Sequence, residues 1–412
     1  MLFWSQMFNE VVWLDSNAHN DQRSNYDAIL AVGAQSSLQT SYLGAFEQLK
    51  TYQTQVKDWI FGYLTYDLKN DLEDLTSENY DGLQFPDLFF FQPKKLVLIK
   101  GNTVEFHYLK IVESDLESDF NTIQRFSNLT IQQSKNDIKI KLRIHKDAYF
   151  EKVNAMLEHI HRGDIYEANF CQECYVEDAQ IEPLETFRKL NAISKTPFAT
   201  FFKRNGNYLL SASPERYLKK EGNIIISQPI KGTAKRSEDV NEDELLKENL
   251  QHDEKERSEN IMIVDLVRND LSHTAIKGSV KIEELCQVHT FTQVHQMIST
   301  VISKIDKHTH PVDVISSTFP MGSMTGAPKI SAMKIIETLE ETKRGLYSGA
   351  VGYFTPNGDF DFNVVIRSIL YNEERKYVSY SVGSAITAKS DPLKEYEECL
   401  VKAKAMREVL EN

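Results

Sequence analysis

The chain has 412 residues, of which 41% are hydrophobic and 26% are charged, and these values exclude a disordered chain, a collagen-like chain and a membrane-embedded bundle. Its 47 Lys and Arg residues against 60 Asp and Glu residues give a net charge of −13, which excludes a chain-wide attraction to nucleic acid or to an anionic membrane. An anionic substrate would therefore need a metal ion or a few locally placed cations.

The N-terminal region carries no targeting signal that we can identify. Residues 1–15 contain no Lys or Arg and so lack the basic start of a secretory signal peptide. No apolar run in the sequence is long enough to span a membrane. We therefore expect a cytoplasmic protein with no membrane partner. A polar stretch at 114–136 predicts a division into an N-terminal region, residues 1–135, and a second region, residues 136–412.

The second region mixes predicted helices and strands. A helix at 146–161 precedes strands at 165–176, 196–202, 208–213 and 224–227, a mostly helical stretch at 241–271, and two strands within 279–303. A helix follows at 327–339 with Pro328 in its first turn, then strands at 346–355 and 360–370 joined by Asn357-Gly358, a strand at 377–382, and a terminal helix that starts after Asp391. This order, with its adjacent hairpins, predicts an α+β fold with largely antiparallel sheets.

Two predicted helices carry acidic residues on a single face. Glu256 and Glu259 are three residues apart, and Glu395, Glu398 and Lys402 are spaced three and four apart. Oxygen ligands on rigid helices suit magnesium, which uses one or two carboxylates together with an anionic substrate. The alternative, which composition alone favours, is that both sets are solvated helix faces.

A lysine stands within a short segment rich in turn residues, QPIKGT, at residues 228–233. A lysine near buried carboxylates can act as a nucleophile or a base. The alternative is that Lys231 is an ordinary surface lysine at a turn. Composition and spacing alone reach no further than a soluble α+β protein with a possible magnesium and anion site in its C-terminal half.

Several motifs, taken together and in this order, resemble the chorismate-utilising enzymes: the large subunits of anthranilate synthase and aminodeoxychorismate synthase, and the isochorismate and salicylate synthases. The motifs are SASPERY (211–217), QPIKGT (228–233), ERSENIMIVDLVRNDL (256–271), GSVKIEEL (278–285), GSMTGAPKISAMKIIETLE (322–340), YSGAVGYF (347–354), IRS (366–368) and EYEECLVK (395–402). The segments FGYLTYDL (61–68) and FPDL (85–88) are similar to the family's first part. The resemblance implies a sandwich of two facing, largely antiparallel β-sheets with helices outside, in which residues 1–135 form a shortened part of the sandwich and residues 136–412 bind chorismate.

The resemblance also implies how chorismate, a dianion, is bound together with magnesium. The metal would lie on Glu259 and Glu398, with Glu256 and Glu395 beside it. A planar guanidinium suits two-point binding of a carboxylate, and Arg367 matches the arginine that does this in the family. The remaining implied binding residues are Tyr347 near the same carboxylate, Lys402 as a second cation, and the backbone N–H groups of Gly383, Ser384 and Ala385.

One position separates the members of the family. Anthranilate synthases typically have PIAGT where this chain has PIKGT, as aminodeoxychorismate synthases do. The resemblance then implies that Lys231 attacks ring carbon two of chorismate as the carbon-four hydroxyl leaves, and that ammonia adds at carbon four and expels the lysine. Glu215 would assist proton transfer, and Thr233 would line the ring pocket.

The sequence departs from the family at two places that concern catalysis. Where the water-using isochorismate and salicylate synthases carry a base lysine, this chain has Glu167, and amine-using relatives commonly have Gln. Where the family usually has a histidine, this chain has Gln296, with His295 one residue earlier. Adjacent side chains on a strand face opposite ways. We expect Gln296 to replace the histidine in the site, the alternative being that a bulge brings His295 there.

The resemblance therefore predicts an aminodeoxychorismate synthase component I, which forms 4-amino-4-deoxychorismate for para-aminobenzoate and folate biosynthesis. We expect chorismate and ammonia as substrates, magnesium as cofactor, and a separate glutamine amidotransferase subunit as the source of ammonia. We expect no nucleic-acid partner. The alternatives are an anthranilate synthase component I and a catalytically silent chorismate-binding homologue.

Overall fold

The protein is described here by a computed structural model that covers residues 1–19, 23–125, 138–291 and 294–411. The predicted boundary between residues 135 and 136 lies outside the described residues. Within them, no helix is both long enough and apolar enough to cross a membrane.

Nineteen strands are formed by the described residues. They are β1 (Glu10–Asp15), β2 (Ala28–Thr40), β3 (Ile60–Leu64), β4 (Leu88–Lys100), β5 (Thr103–Tyr108), β6 (Lys141–Leu142), β7 (Glu167–Val176), β8 (Phe198–Arg204), β9 (Asn207–Ser213), β10 (Arg216–Glu221), β11 (Ile224–Gln228), β12 (Ile230–Lys235), β13 (Lys281–Thr290), β14 (Val294–Lys304), β15 (Gly326–Ala327), β16 (Ala350–Phe354), β17 (Phe360–Val364), β18 (Ser368–Asn372) and β19 (Tyr377–Thr387).

Eleven α-helices accompany them in the same part of the chain. They are α1 (Leu2–Ser5), α2 (Ala45–Val56), α3 (Lys69–Leu72), α4 (Leu116–Arg125), α5 (Lys146–Arg162), α6 (Pro183–Ser194), α7 (Val240–His252), α8 (Glu254–Ser272), α9 (Pro311–Thr318), α10 (Lys329–Leu339) and α11 (Pro392–Glu411). Short 3₁₀ turns lie at Tyr66–Leu68, Lys110–Asp115 and Gly322–Met324.

All nineteen strands belong to one continuous hydrogen-bonded network, and every strand pair in it is antiparallel. Neighbouring strands pair in the order β14-β11-β10-β17-β16-β3-β4-β2-β1-β8-β9-β18-β19-β7. Strands β12 and β13 also pair with β14, on its two sides. The α+β prediction with largely antiparallel strands is confirmed.

The network curls so that its two halves face each other. The ring of Phe202 on β8 packs edge-on against Tyr63 on β3 and Phe89 on β4, with centroid distances of 5.3 and 6.1 Å. The neighbouring residue Phe201 enters a second hydrophobic core beneath helices α5, α6 and α11. Successive side chains of a strand point to opposite faces, so β8 separates an inner core from an outer one.

The same curl brings the two ends of the network together. Lys231 lies on β12 at one end, and Glu167 lies on β7 at the other. The Lys231 Nζ donates a hydrogen bond to Glu167 Oε1 over 3.2 Å. Residues that are far apart along the sheet therefore meet in a partly buried contact.

Several predicted elements differ from the structure. The segment predicted as one strand at 360–370 is broken at residues 365–367, and the strand predicted at 346–355 begins only at Ala350, after a turn. The helix predicted from residue 327 begins at Lys329, because Ala327 pairs with β7 and Pro328 is the N-cap. Strands β10 and β12 were not predicted, since charged and glycine-containing stretches there mask the strand periodicity. Helices α6 and α9 were not predicted either.

A buried arginine joins three of these elements. Arg344 makes a two-point contact with Glu340 (2.9 and 2.6 Å) and also donates to the backbone carbonyls of Met324 and Asn169. Arg344 is 6% exposed and Glu340 5%. Removing one member of a buried ion pair leaves the other charge uncompensated.

We expect Arg344→Met to lower the free energy of unfolding by about 3–5 kcal/mol, measured by urea denaturation. The matched control is Arg407→Met, which removes an arginine that pairs with Glu411 on the exposed surface of α11. That control should lose less than about 1 kcal/mol. Equal losses in both variants would show that the buried ion pair contributes no more to the free energy of unfolding than the exposed one.

Candidate functional site

A cavity of about 500 Å³ opens where the two ends of the strand network meet, and we call it the main cavity. Its volume is in the range of small-molecule sites. Twelve of the fourteen predicted site residues line it: Glu215, Lys231, Thr233, Glu256, Glu259, Gln296, Tyr347, Arg367, Gly383, Ala385, Glu398 and Lys402. These residues come from eight separate segments of the chain, so the site exists only in the folded protein.

Lys231 projects into the main cavity from a distorted stretch of β12. The pairing of β12 with β14 shifts register between Ile230 and Thr233, and Gly232 adopts a positive φ of 86°. A Cβ at Gly232 would also lie 3.1 Å from the Glu256 carboxylate, so both the backbone conformation and the packing of α8 favour glycine there. The distortion sets the Lys231 side chain, which is 13% exposed, against the carboxylates of the cavity.

The charge of Lys231 depends on those carboxylates. Burial lowers its pKa, but Glu167, Glu259 and Glu215 outweigh burial, and the pKa lies above its ordinary value. In the resting protein Lys231 is therefore an ammonium group. A lysine that attacks carbon must first pass a proton to a neighbour, and Glu167 Oε1 at 3.2 Å is in contact with it.

Glu215 is suited to donate and accept protons near neutral pH. It lies directly before β10, is 5% exposed, and forms hydrogen bonds with the Ser323 side chain and with the backbone of Ile230. Burial raises its pKa to about 7, despite the opposing effects of Ser323 and Lys231. A carboxyl group with such a pKa is matched to general acid–base work.

The two acidic helix faces converge on the main cavity. Glu256 and Glu259 on α8 have pKa values raised by burial, that of Glu259 to about 7. Burial also acts on Glu398 of α11, but Lys402, whose Nζ is 2.6 Å from Glu398 Oε1, outweighs it and lowers the pKa. Carboxylates that burial brings together need a cation.

Lys255 supplies part of that positive charge. Its Nζ lies 3.7 Å from Glu259 and 3.6 Å from Glu395. Glu395 is 2% exposed and does not line the main cavity. Glu259 Oε1 is buried without a hydrogen-bond partner among the described residues.

These residues fit a loosely held magnesium ion better than a preformed metal cage. In the described part of the chain, no group of three or more His, Cys, Asp and Glu side chains is close enough to hold a metal ion. Magnesium, however, needs only one or two protein carboxylates when an anionic substrate and water complete its shell. Glu259, with a buried oxygen that accepts no hydrogen bond among the described residues, and Glu398, on α11, meet that requirement.

Positively charged side chains line the part of the main cavity next to Glu398. Arg367 occupies the break between β17 and β18 with a φ of 53°, and burial lowers its pKa, although Tyr347 and Glu398 act against burial. Lys402 Nζ donates to the carbonyl of Gly383 over 2.9 Å. These groups can receive the carboxylates of an anionic ligand.

Gly383 and Ala385 face the main cavity, whereas the Ser384 side chain does not. The Ser384 hydroxyl is buried 3.3 Å from the hydroxyl of Tyr149, under α5. A Cβ at Gly383 would lie 2.5 Å from Cys171 Sγ and 2.8 Å from the carbonyl of Phe170. Only glycine fits this close approach between β19 and β7.

Gln296 and His295 lie on opposite faces of β14. Gln296 lines the main cavity. His295 is 1% exposed and contacts Asp243 Oδ1 and Thr290 Oγ1, each at 3.0 Å, on the other side of the strand. The structure thus places the amide, and not the imidazole, beside the other cavity residues.

The cavity residues that were missed in the sequence include Asn169, Lys255 and Ser323. Asn169 lies two residues after Glu167 on β7, so strand alternation could have placed both on one face. Lys255 precedes Glu256 in a run of charges, where it resembles a solvated side chain. Ser323 lies in the recognised GSMTGAPK segment, but no pattern singles it out.

Comparisons with known proteins agree with this arrangement. A family described as chorismate binding enzyme matches residues 9–408. The chain is 34% identical over 424 residues to an aminodeoxychorismate synthase of Streptomyces griseus, covering 97% of this chain and 57% of that protein. It is 32% identical over 372 residues to anthranilate synthase component 1 of Acetivibrio thermocellus, covering 85% of this chain and 74% of that protein. This chain therefore spans little more than half the length of the Streptomyces relative.

A solved structure shows the same fold. Anthranilate synthase component I from Streptococcus pneumoniae superimposes with a TM-score of 0.81 at 23% identity, covering 94% of this chain and 93% of that one. The prediction of an anthranilate-synthase-like sandwich is confirmed.

The raised pKa of Glu215 predicts a pH-dependent effect on stability. The folded state favours the protonated carboxyl, so its contribution is fully present below the ordinary pKa of 4.5 and is lost as the pH rises through about 7. The variant Glu215→Gln escapes that loss. The melting temperature of the variant minus that of the wild type, measured in EDTA, should increase between about pH 4.5 and 7 and then stay constant.

The matched control is Glu158→Gln, which replaces an exposed carboxylate on α5. Its melting temperature should differ from that of the wild type by a constant amount over the same pH range. A constant difference for Glu215→Gln as well would contradict the raised pKa.

Proposed function

This chain belongs to the chorismate-binding enzyme family, and from that premise we propose that it is an aminodeoxychorismate synthase component I, an aminating enzyme that converts chorismate and ammonia to 4-amino-4-deoxychorismate. The observation that carries the proposal is the position of Lys231, which reaches into the main cavity from PIKGT and contacts Glu167. An anthranilate synthase would not need a lysine there.

Chorismate would bind with its two carboxylates in different parts of the main cavity. One carboxylate meets the cationic side formed by Arg367, Lys402 and the backbone around Gly383 and Ala385. The other faces Glu259 and Glu398, which would hold magnesium, and the bound metal would neutralise the repulsion between anions there. The ring then lies between Lys231, Glu215 and Thr233.

The reaction would start with a proton transfer from Lys231 to Glu167. The neutral amine forms a bond with ring carbon two, the double bonds shift, and the bond from carbon four to its hydroxyl breaks. Glu215 supplies the proton that lets the hydroxyl leave as water. Ammonia next forms a bond with carbon four, the bond between carbon two and Lys231 breaks, and Lys231 recovers its proton from Glu167.

The nitrogen would come from a separate glutamine amidotransferase subunit, or from ammonium salts in its absence. The product keeps its enolpyruvyl group and would serve para-aminobenzoate formation through another enzyme. Anthranilate synthase component I is the second candidate, because relatives with both names are about equally similar to this chain. The two candidates differ in product, since anthranilate is fluorescent and has lost pyruvate.

The product of the chain with chorismate, magnesium and ammonium, identified by mass, tests the proposal. We expect 4-amino-4-deoxychorismate from the wild type, and a fall of more than about 100-fold in its rate of formation for Lys231→Ala. The control Lys247→Ala removes a lysine of α7 that pairs with Glu244 outside the main cavity, and it should keep the wild-type rate. Anthranilate as the product, or full activity of Lys231→Ala, would refute the proposal. A folded protein without turnover would support a silent homologue.

The metal assignment predicts a selective loss of magnesium affinity. In Glu259→Gln the dissociation constant for Mn²⁺, measured by electron paramagnetic resonance as a magnesium substitute, should rise by about tenfold or more, since each ~1.4 kcal/mol of lost binding is tenfold. The control Glu397→Gln changes an exposed carboxylate next to Glu398 on α11 and should leave the affinity unchanged. Equal affinities in all three proteins would remove Glu259 from the metal site.

A further inference from the structure

A second cavity lies directly behind one wall of the main cavity, and we call it the small cavity. It has a volume of about 20 Å³. Two of its lining residues, Glu215 and Ser323, also line the main cavity. Glu215 and Ser323 therefore lie where the small cavity adjoins the main cavity.

The size of the small cavity restricts what it can hold. A volume of about 10–15 Å³ or more accommodates one water molecule. Ammonia has nearly the same size as water, whereas a ring with two carboxylates is far too large. The small cavity therefore accepts one molecule of this size and excludes the carbon substrate.

Three residues of the lining are charged: Arg216 pairs with Asp361, Asp270 pairs with Lys329, and the third is Glu215. Much of the lining is apolar, as with Leu218, Val267, Leu271 and Met321. The Tyr217 hydroxyl is already 2.6 Å from Thr318 Oγ1, and Asp270 Oδ2 accepts from Lys329 at 2.6 Å. The Glu215 carboxyl forms two hydrogen bonds, with Ser323 and Ile230, and a carboxylate has about four acceptor positions.

We propose that the small cavity behind Glu215 is the binding site for the nitrogen substrate, ammonia or ammonium. This inference rests on the proposed function and assigns the place from which nitrogen enters. Ammonium bound there lies against the carboxyl whose other side faces the ring, so that nitrogen approaches carbon four from the position of Glu215 and not through the open mouth of the main cavity.

The proton balance of amination agrees with this placement. Glu215 gives its proton to the leaving hydroxyl and becomes a carboxylate, and water departs. The carboxylate then takes one proton from ammonium, which becomes ammonia. Ammonia forms the bond to carbon four while the bond between carbon two and Lys231 breaks. The same carboxyl thus serves both half-reactions and is returned to its starting state.

The test fills the small cavity by one methyl group. Val267 on α8 lines it, whereas Val264, one turn earlier on the same helix, is buried in the same core and does not line it. We expect Val267→Ile to raise the KM for ammonium, with ammonium chloride as nitrogen source, by roughly tenfold, the size of a lost hydrogen bond to a charged group. The KM for chorismate should stay at its wild-type value, and Val264→Ile should leave both constants unchanged.

Methylammonium provides a second test that needs no variant. It exceeds the small cavity but passes easily into the main one. We expect that it neither competes with ammonium nor gives an N-methylated product with the wild-type protein. Competitive inhibition by methylammonium, or an unchanged KM for ammonium in Val267→Ile, would place nitrogen entry in the main cavity and overturn the inference while leaving the proposed function intact. Absence of any aminated product from the wild type would overturn both.

Discussion

The cluster of buried carboxylates around Lys231 is the main physical constraint on the site, because its negative charge must be compensated. Glu167, Glu215 and Glu259 are each less than 9% exposed, and all three act on this one ammonium group. Burying carboxylates is costly unless cations or protons compensate them. The protein uses both means, because Lys231 and Lys255 supply charge and the raised pKa values of Glu215 and Glu259 allow protons to remain near neutral pH. This balance is compatible with the magnesium ion, the dianion and the proton transfers that we propose for the site.

The topology explains how a protein of net charge −13 keeps an anion site. Arg367 comes from the segment between β17 and β18, Glu256 and Glu259 come from α8, and α11 supplies both Glu398 and Lys402. These three segments are far apart in sequence, and they meet because the strand network curls until β12 approaches β7. The fold therefore separates the local potential of the cavity from the average charge of the surface.

Much of the site could be predicted from the sequence, for reasons that differ between residues. Glu256 with Glu259, and Glu398 with Lys402, follow from helical spacing, which survives folding unchanged. Their convergence with Lys231 required the family resemblance, because helical periodicity says nothing about which helix faces which strand. Ser384 and Glu395 were predicted as site residues but do not line the main cavity. A motif places a residue near a site, but the direction of its side chain depends on the strand register or on the rotation of the helix about its axis. The small cavity had no sequence signal at all, because it is a gap between side chains of five different segments.

The break at residues 365–367 has an evolutionary consequence. Arg367 holds a left-handed backbone conformation, with a φ of 53°, that glycine and asparagine adopt more easily than arginine. Neither of those residues offers a guanidinium to an anion. The backbone conformation at residue 367 favours glycine or asparagine, whereas anion binding favours arginine. A substitution that relaxes the backbone therefore also removes the positive charge. We therefore expect few tolerated substitutions at residue 367. Changes that relieve the backbone strain are best sought in the residues that flank it.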